Sequence, residues 1–311
     1  MSTGSTGSTG LTSSTGLTPL TPAAEYCGQA GIYRAPVTHR PWSTPDPAYQ
    51  PVNFTRPKYR STDPAVRPGF ADHPDPNVIT AQEWALREEE NGLPIFRDAQ
   101  GFPLNPAGRT GIADRGLWAC FGANGAVDPA VTKWRRDATG GLVYNSKSQP
   151  VLQFLAVDRE DDGKGSGRRQ ALPGGMKNKV IDPVTGCVRK EAYFIALARE
   201  LREETQAQPE QEGLGVDDPA DTLQQLFKAG KRIYKGPVYR DPRNTDNAWG
   251  ATEVTWIHDA AGTTFDAMPL KAGSDAKAAY WCDYDPAAPP ALYADHDDYL
   301  GWIYTLAVKG L

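Results

Sequence analysis

A mixed α/β domain is predicted for this 311-residue chain, and three observations predict it. V-L-Q-F-L-A-V, Val151 to Val157, is apolar enough to run as a strand buried inside a sheet. Glu191 to Glu204 carries Phe194, Leu197, Ala198 and Leu201 as one apolar stripe at helical spacing, and Tyr299, Trp302, Ile303 and Leu306 form a second near the C-terminus.

Taken in chain order, residues 1–25 read as a flexible Ser/Thr/Gly tail. Residues 26–125 read as an accessory or cap region, rich in Pro, Asp and Arg, wrapped on another body rather than folding alone. One helix stands out there, Ala81 to Asn91, with Thr80 as N-cap, Glu83 completing a capping box and Gly92 as stop. Residues 126–311 read as the catalytic domain. Its strands are expected at 131–134, 151–157, 232–236, 253–258 and 278–282, and a terminal helix at 297–309.

The formal charge of −5 offers no general attraction to nucleic acid or to an anionic membrane, so neither partner is expected. No run of about 18 apolar residues is present to span a bilayer. The N-terminus lacks the basic start and apolar stretch of a secretory signal, and its first arginine is Arg34, so the cytoplasm is the expected compartment. Cys27, Cys120, Cys187 and Cys282 form no C-x-x-C pair, and the four histidines have no zinc-ligand spacing. No G-x-S-x-G motif points to a covalent nucleophile.

Glu200, Glu203 and Glu204 lie within an arc of about 100° at the border of the apolar stripe, where like charges one turn apart repel. Such a string also occurs on solvated helix faces. A hard divalent cation removes the repulsion, because it takes oxygen ligands through a few carboxylates plus substrate phosphates. Mg2+ is the expected cofactor, with Mn2+ as its substitute, and Arg199 one turn before Glu203 is placed to brace that carboxylate.

Glu191, seven residues, then R-E-L-R-E-E after the turn L-P-G-G resembles the Nudix signature G-x5-E-x7-R-E-U-x-E-E-x-G-U. Two departures stand out: about ten extra residues lie between Gly175 and Glu191, and Gln206 and Ala207 replace the final glycine and aliphatic. N-P-A-G-R-T-G (105–111) and D-P-R-N-T-D-N-A-W (241–249) resemble segments of the mitochondrial-type ADP-ribose pyrophosphatases, and of the homologous C-terminal domain of the ADP-ribose-gated melastatin-type channel.

The resemblance implies a Nudix fold, a mixed sheet sandwiched between helices, with a substrate-capping N-terminal region. It implies hydrolysis of ADP-ribose to AMP and ribose 5-phosphate, and a mitochondrial setting as the alternative compartment. It implies Glu200, Glu203 and Glu204 as metal ligands, with Glu191 and Arg199 shaping the loop and helix. Asn105, Arg109, Arg243, Asp246 and Asn247 become candidates for phosphate, ribose and base, although both segments also read as turn clusters. Trp249 is a candidate for stacking on adenine, or else a core tryptophan. L-K-A-G-S-D-A-K resembles the family's L-x-A-G-D-D-A with Ser274 in place of the first aspartate, so Asp275 is a candidate near metal and water, or a surface-loop residue; the general base stays unassigned. The competing readings are a non-catalytic ADP-ribose sensor and a hydrolase of another nucleoside diphosphate derivative.

Overall fold

The computed structural model describes residues 40–159, 170–181, 188–191, 193, 195, 196, 199, 200, 203, 227–266 and 276–310. Its strands are β1 (Val52–Thr55), β2 (Ile112–Gly116), β3 (Gly122–Trp134), β4 (Leu152–Arg159), β5 (Gln170–Ala171), β6 (Gly175–Met176), β7 (Lys179–Ile181), β8 (Val188–Lys190), β9 (Lys231–Pro237), β10 (Ala248–Asp259) and β11 (Ala276–Asp283). Helices are α1 (Ala81–Asn91), the single turn α2 (Thr263–Asp266) and α3 (His296–Lys309).

The main sheet runs β11-β4-β3-β10-β9, with β5 on β4 and β6 on β3. β3 and β10 pair in parallel along twelve positions, from Gly122 opposite Ala248 to Lys133 opposite Asp259. On its other side β3 has two partners in succession. β6 pairs at Ala126 and Val127, and β4 pairs only from Thr132 onward. The sheet forks between them, and Pro129 falls in that stretch, where a residue without an N–H is tolerated as on a sheet edge.

Alternation along the strands builds a core on each face. Ala130, Trp134, Phe154 and Val254 pack on Tyr299, Leu300 and Ile303 of α3. Val127, Val131, Leu155 and Ile257 pack on Ala196, Phe227 and Phe265 from the opposite layer. The sheet is thus sandwiched between helices, as the Nudix reading expects.

Helix α1 has the expected bounds and caps. Thr80 and Glu83 exchange the two capping-box bonds, and Gly92 ends the helix in the left-handed conformation, at φ +67°. A third cluster, with Trp84, Ile95 and Phe121 against Ala123, Trp249 and Ala251, seats α1 on the central strands. The division drawn at residues 125 and 126 falls inside β3.

The expected strands all appear, and β3 is longer than its predicted four residues. Its first half, G-A-N-G-A-V-D-P, has poor strand propensity, and the long parallel ladder with β10 overrides it. Residues 1–25 lie outside the described residues.

Candidate active site

The site grows from the turn at Leu172 to Gly175 and the helix opposite it. Tyr193, Ile195, Ala196, Arg199, Glu200 and Glu203 are all helical. The Glu200 carboxylate lies against Gly175, where a Cβ would come within 2.2 Å of Oε2. At the adjoining Gly174 a Cβ would stand 2.0 Å from Asp128 Oδ1. The paired glycines of the turn are therefore required by two carboxylates that approach the bare backbone.

Arg199 is the hub. Its Nε and Nη2 donate to Glu191 at 3.0 and 2.8 Å, and Nη1 reaches Glu203 Oε2 at 2.9 Å. Nη1 also lies 2.7 Å from Glu200 Oε1, and Nη2 donates to the Met176 carbonyl at 3.0 Å. Glu191 accepts a further bond from the Asn178 N–H at 3.1 Å. These bonds to Arg199 hold the Glu191 carboxyl below the usual carboxylate range. Burial does the reverse to Glu200: against the pull of Arg199, and helped by Glu203 and Asp128, it pushes that carboxyl up to about 7.

Glu200 and Glu203 offer hard oxygen donors, and a buried carboxyl that resists ionisation alone is suited to a cation partner. Glu204 and Asp275 lie outside the described residues. Among the described residues, no group of three His, Cys, Asp or Glu side chains is gathered tightly enough to hold a metal. The donor chemistry fits a divalent cation that completes its shell with water and substrate oxygens.

A cleft opens beside the fork in the sheet, lined by Trp118, Asp128, Gly175, Arg243, Tyr293 and His296 among others. Asp128 Oδ2 accepts from Thr252 Oγ1 at 2.7 Å. His296 Nδ1 accepts from the Leu172 N–H at 2.9 Å, so the neutral ring carries its proton on Nε2, 3.7 Å from Asp128. Arg243 is clamped by Asp241 through Nε at 2.9 Å and Nη2 at 2.6 Å, and its guanidinium lies 4.2 Å over the Trp118 ring. Ala294, on the cleft wall, takes the left-handed conformation at φ +48°, a local strain of the kind found at ligand sites.

Of the six residues predicted to meet substrate, Arg243 alone lines this cleft. Asn105 is buried, donating to Thr245 O at 2.7 Å and accepting from the Ala107 N–H. Asp246 accepts from the Thr110 N–H at 2.6 Å and from the Tyr49 hydroxyl at 2.5 Å. Asn247 binds the Asp114 N–H and the Pro103 carbonyl. Arg109 lies over the Trp42 and Tyr49 rings and donates to the carbonyls of Pro41 and Thr44. Trp249 is fully buried, its Nε1 on Asn91 Oδ1 at 2.9 Å, so its ring presents no face to a base. For Asn105, Arg109, Asp246 and Asn247 the physical reason is that a turn cluster inside a fold pairs with neighbouring chain before it can serve a ligand, whereas Trp249 is a core residue of β10.

Residues 35–122 match the family model described as NUDT9-like, N-terminal domain. The chain is 38% identical over 216 residues to the ADP-ribose pyrophosphatase, mitochondrial, of Rattus norvegicus, covering 69% of this chain and 56% of that protein. The chain resembles the NUDT9-like Nudix hydrolases. The chain is also 36% identical over 265 residues to the transient receptor potential cation channel subfamily M member-like 2 of Nematostella vectensis, covering 82% of itself and 15% of that protein. It therefore spans less than two thirds of either relative. Among solved structures, a MutT/nudix family protein from Enterococcus faecalis is similar over 60% of this chain and 62% of that one, at 20% identity and a TM-score of 0.36. Among the described residues, no helix is long and apolar enough to cross a membrane.

Sequence reasoning passed over Asp128, Trp118, Tyr293 and His296 as site residues. A signal existed for Asp128, a charge set between apolar neighbours in V-D-P-A-V and buried in the middle of a strand. None existed for Trp118, whose role depends on Arg243 from a distant loop.

Proposed function

We propose that the protein hydrolyses the pyrophosphate of ADP-ribose. One water adds at a phosphorus, the bridging P–O bond breaks, and AMP and ribose 5-phosphate leave. The observation that supports this most is the Arg199 hub, which gathers Glu191, Glu200 and Glu203 around a single guanidinium. The name of the rat relative supports the substrate.

Glu200, Glu203 and Glu204 would hold Mg2+ or Mn2+, which when bound neutralises phosphate charge and lowers the pKa of an attacking water. Arg199 keeps the described carboxylates turned toward the glycine turn, and Glu191 ties Arg199 to the backbone at Asn178. Arg243, pinned by Asp241 and laid on Trp118, presents a guanidinium of fixed orientation to an anionic substrate group. Asp275 stays a candidate neighbour of the water. The channel-named relatives raise the reading of a sensor without hydrolysis. That role gives the glutamate network nothing to do, so its retention favours turnover.

The test is a substrate panel with Mg2+: ADP-ribose, NADH and a sugar nucleotide. ADP-ribose is expected to lead in kcat/KM by about tenfold or more, the scale on which a polar site rejects an analogue that leaves its groups unpaired. A faster rate on another member would overturn the assignment.

A further inference from the structure

A buried ion pair joins α1 to Lys177, the residue that follows β6. Lys177 Nζ lies 2.9 and 3.2 Å from the two carboxylate oxygens of Glu90, with side chains 6% and 9% exposed. Glu90 reaches Lys177 across the bare Cα of Gly125, where a Cβ would stand 2.4 Å from Oε2. The Lys177 N–H donates to the Gly125 carbonyl at 3.0 Å, so charge pair and backbone bond close on the same point of β3. The ammonium also lies 5.7 Å from the centre of the Tyr193 ring, on the glutamate helix.

The residues around Lys177 are the ones that hold the site. Gly175 underlies the Glu200 carboxylate. The Met176 carbonyl accepts from Arg199 Nη2 at 3.0 Å, and the Asn178 N–H donates to Glu191 at 3.1 Å. Each of these contacts depends on where this short segment runs, and Lys177 is its anchor. Burying two charges is costly, and stability alone is served as well by a packed apolar pair. What the ion pair adds is a fixed position.

We infer that Glu90 and Lys177 are positioning residues, through which α1 of the N-terminal region sets the segment that holds Arg199, Glu191 and Glu200 in register. The inference rests on the proposed hydrolysis only for its kinetic readout. The N-terminal region is on this account a working part of the site rather than only a cover over it.

The test compares wild type with Glu90→Leu/Lys177→Met, a change of similar volume that strands no charge. Mn2+ affinity is read by electron paramagnetic resonance, turnover by ADP-ribose kinetics and folding by circular dichroism. The folded double variant is expected to bind Mn2+ about tenfold more weakly and to lose about tenfold or more in kcat with KM within about twofold, the range seen when a supporting partner of a metal site is removed. Lys177→Arg, which keeps a cation on Glu90, should recover most of that loss. Should the double variant not fold, Glu90→Gln keeps the shape with a weaker bond and should lose about threefold in both readouts. Wild-type Mn2+ affinity and kcat in a folded variant would overturn the inference. A wild type that binds Mn2+ yet leaves ADP-ribose intact overturns the hydrolase reading alone, because the Mn2+ affinities still test the pair.

Discussion

The glutamate helix and the D-P-R-N-T-D-N-A-W loop are both dense in polar residues, and they point those residues in opposite directions. On the helix, Glu200 meets the glycine turn and shares one arginine with Glu203. In the loop, only Asp241 and Arg243 line the cleft, while Asn244, Thr245, Asp246 and Asn247 are buried and bind neighbouring chain. The difference shows that a polar motif can be as specific for its own architecture as for a ligand. An Asx-rich loop carries backbone groups that must be paired, whereas a helix has paired its backbone already and leaves its side chains for other work.

The largest expected effect sharpens this contrast. Glu203→Gln removes the charge of a proposed metal ligand from a side chain that is 44% exposed, so steady-state kinetics should show kcat falling about 10³-fold while thermal denaturation moves little. A small kinetic effect would place the chemistry elsewhere. Asp246→Ala should do the opposite. It leaves the Thr110 N–H and the Tyr49 hydroxyl without their acceptor, at a cost of about 3 kcal/mol in denaturant unfolding, with near-normal kinetics in the folded fraction. Loss of activity without loss of stability would return Asp246 to the substrate.

Arg243→Lys lies between the two. Lysine keeps the charge but loses the two-pronged grip on Asp241 and the flat stacking on Trp118, so kcat/KM should fall about tenfold, mainly through KM. The smallest effect is on pH. Because the Glu200 carboxyl is pushed up to about 7, protons compete with the cation for it at neutrality. The ionised fraction falls as pH falls, so Mn2+ affinity should weaken about fivefold between pH 7 and 6 in a metal titration. Affinity that is flat over this range would mean that Glu200 is not a ligand.

Much of the fold was legible because it rests on local rules. The capping box of Thr80 and Glu83 and the apolar run of β4 need no knowledge of distant contacts. The full length of β3 was not legible, because Gly122 to Pro129 becomes strand chiefly through β10, more than a hundred residues away, with β6 adding two pairs. The site divides the same way. Spacing on one helix exposed Arg199, Glu200 and Glu203, and Arg199 does bind Glu191, eight residues before it. The cleft, by contrast, assembles Trp118, Asp128, Arg243 and His296 from four separate segments, and Trp249 disappears into the core because Asn91 of α1 takes its N–H. No local pattern encodes which of two tryptophans lines the cleft.

In the proposed reaction the carboxylates around Arg199, with a bound divalent cation, support attack of water on ADP-ribose. The most direct test is product chromatography after incubation with ADP-ribose and Mg2+, for wild type and for Glu203→Gln/Glu204→Gln. The account predicts AMP and ribose 5-phosphate from wild type only, with the reaction stopped by chelation. Equal product from both proteins, or intact ADP-ribose bound by an inert wild type, would contradict it.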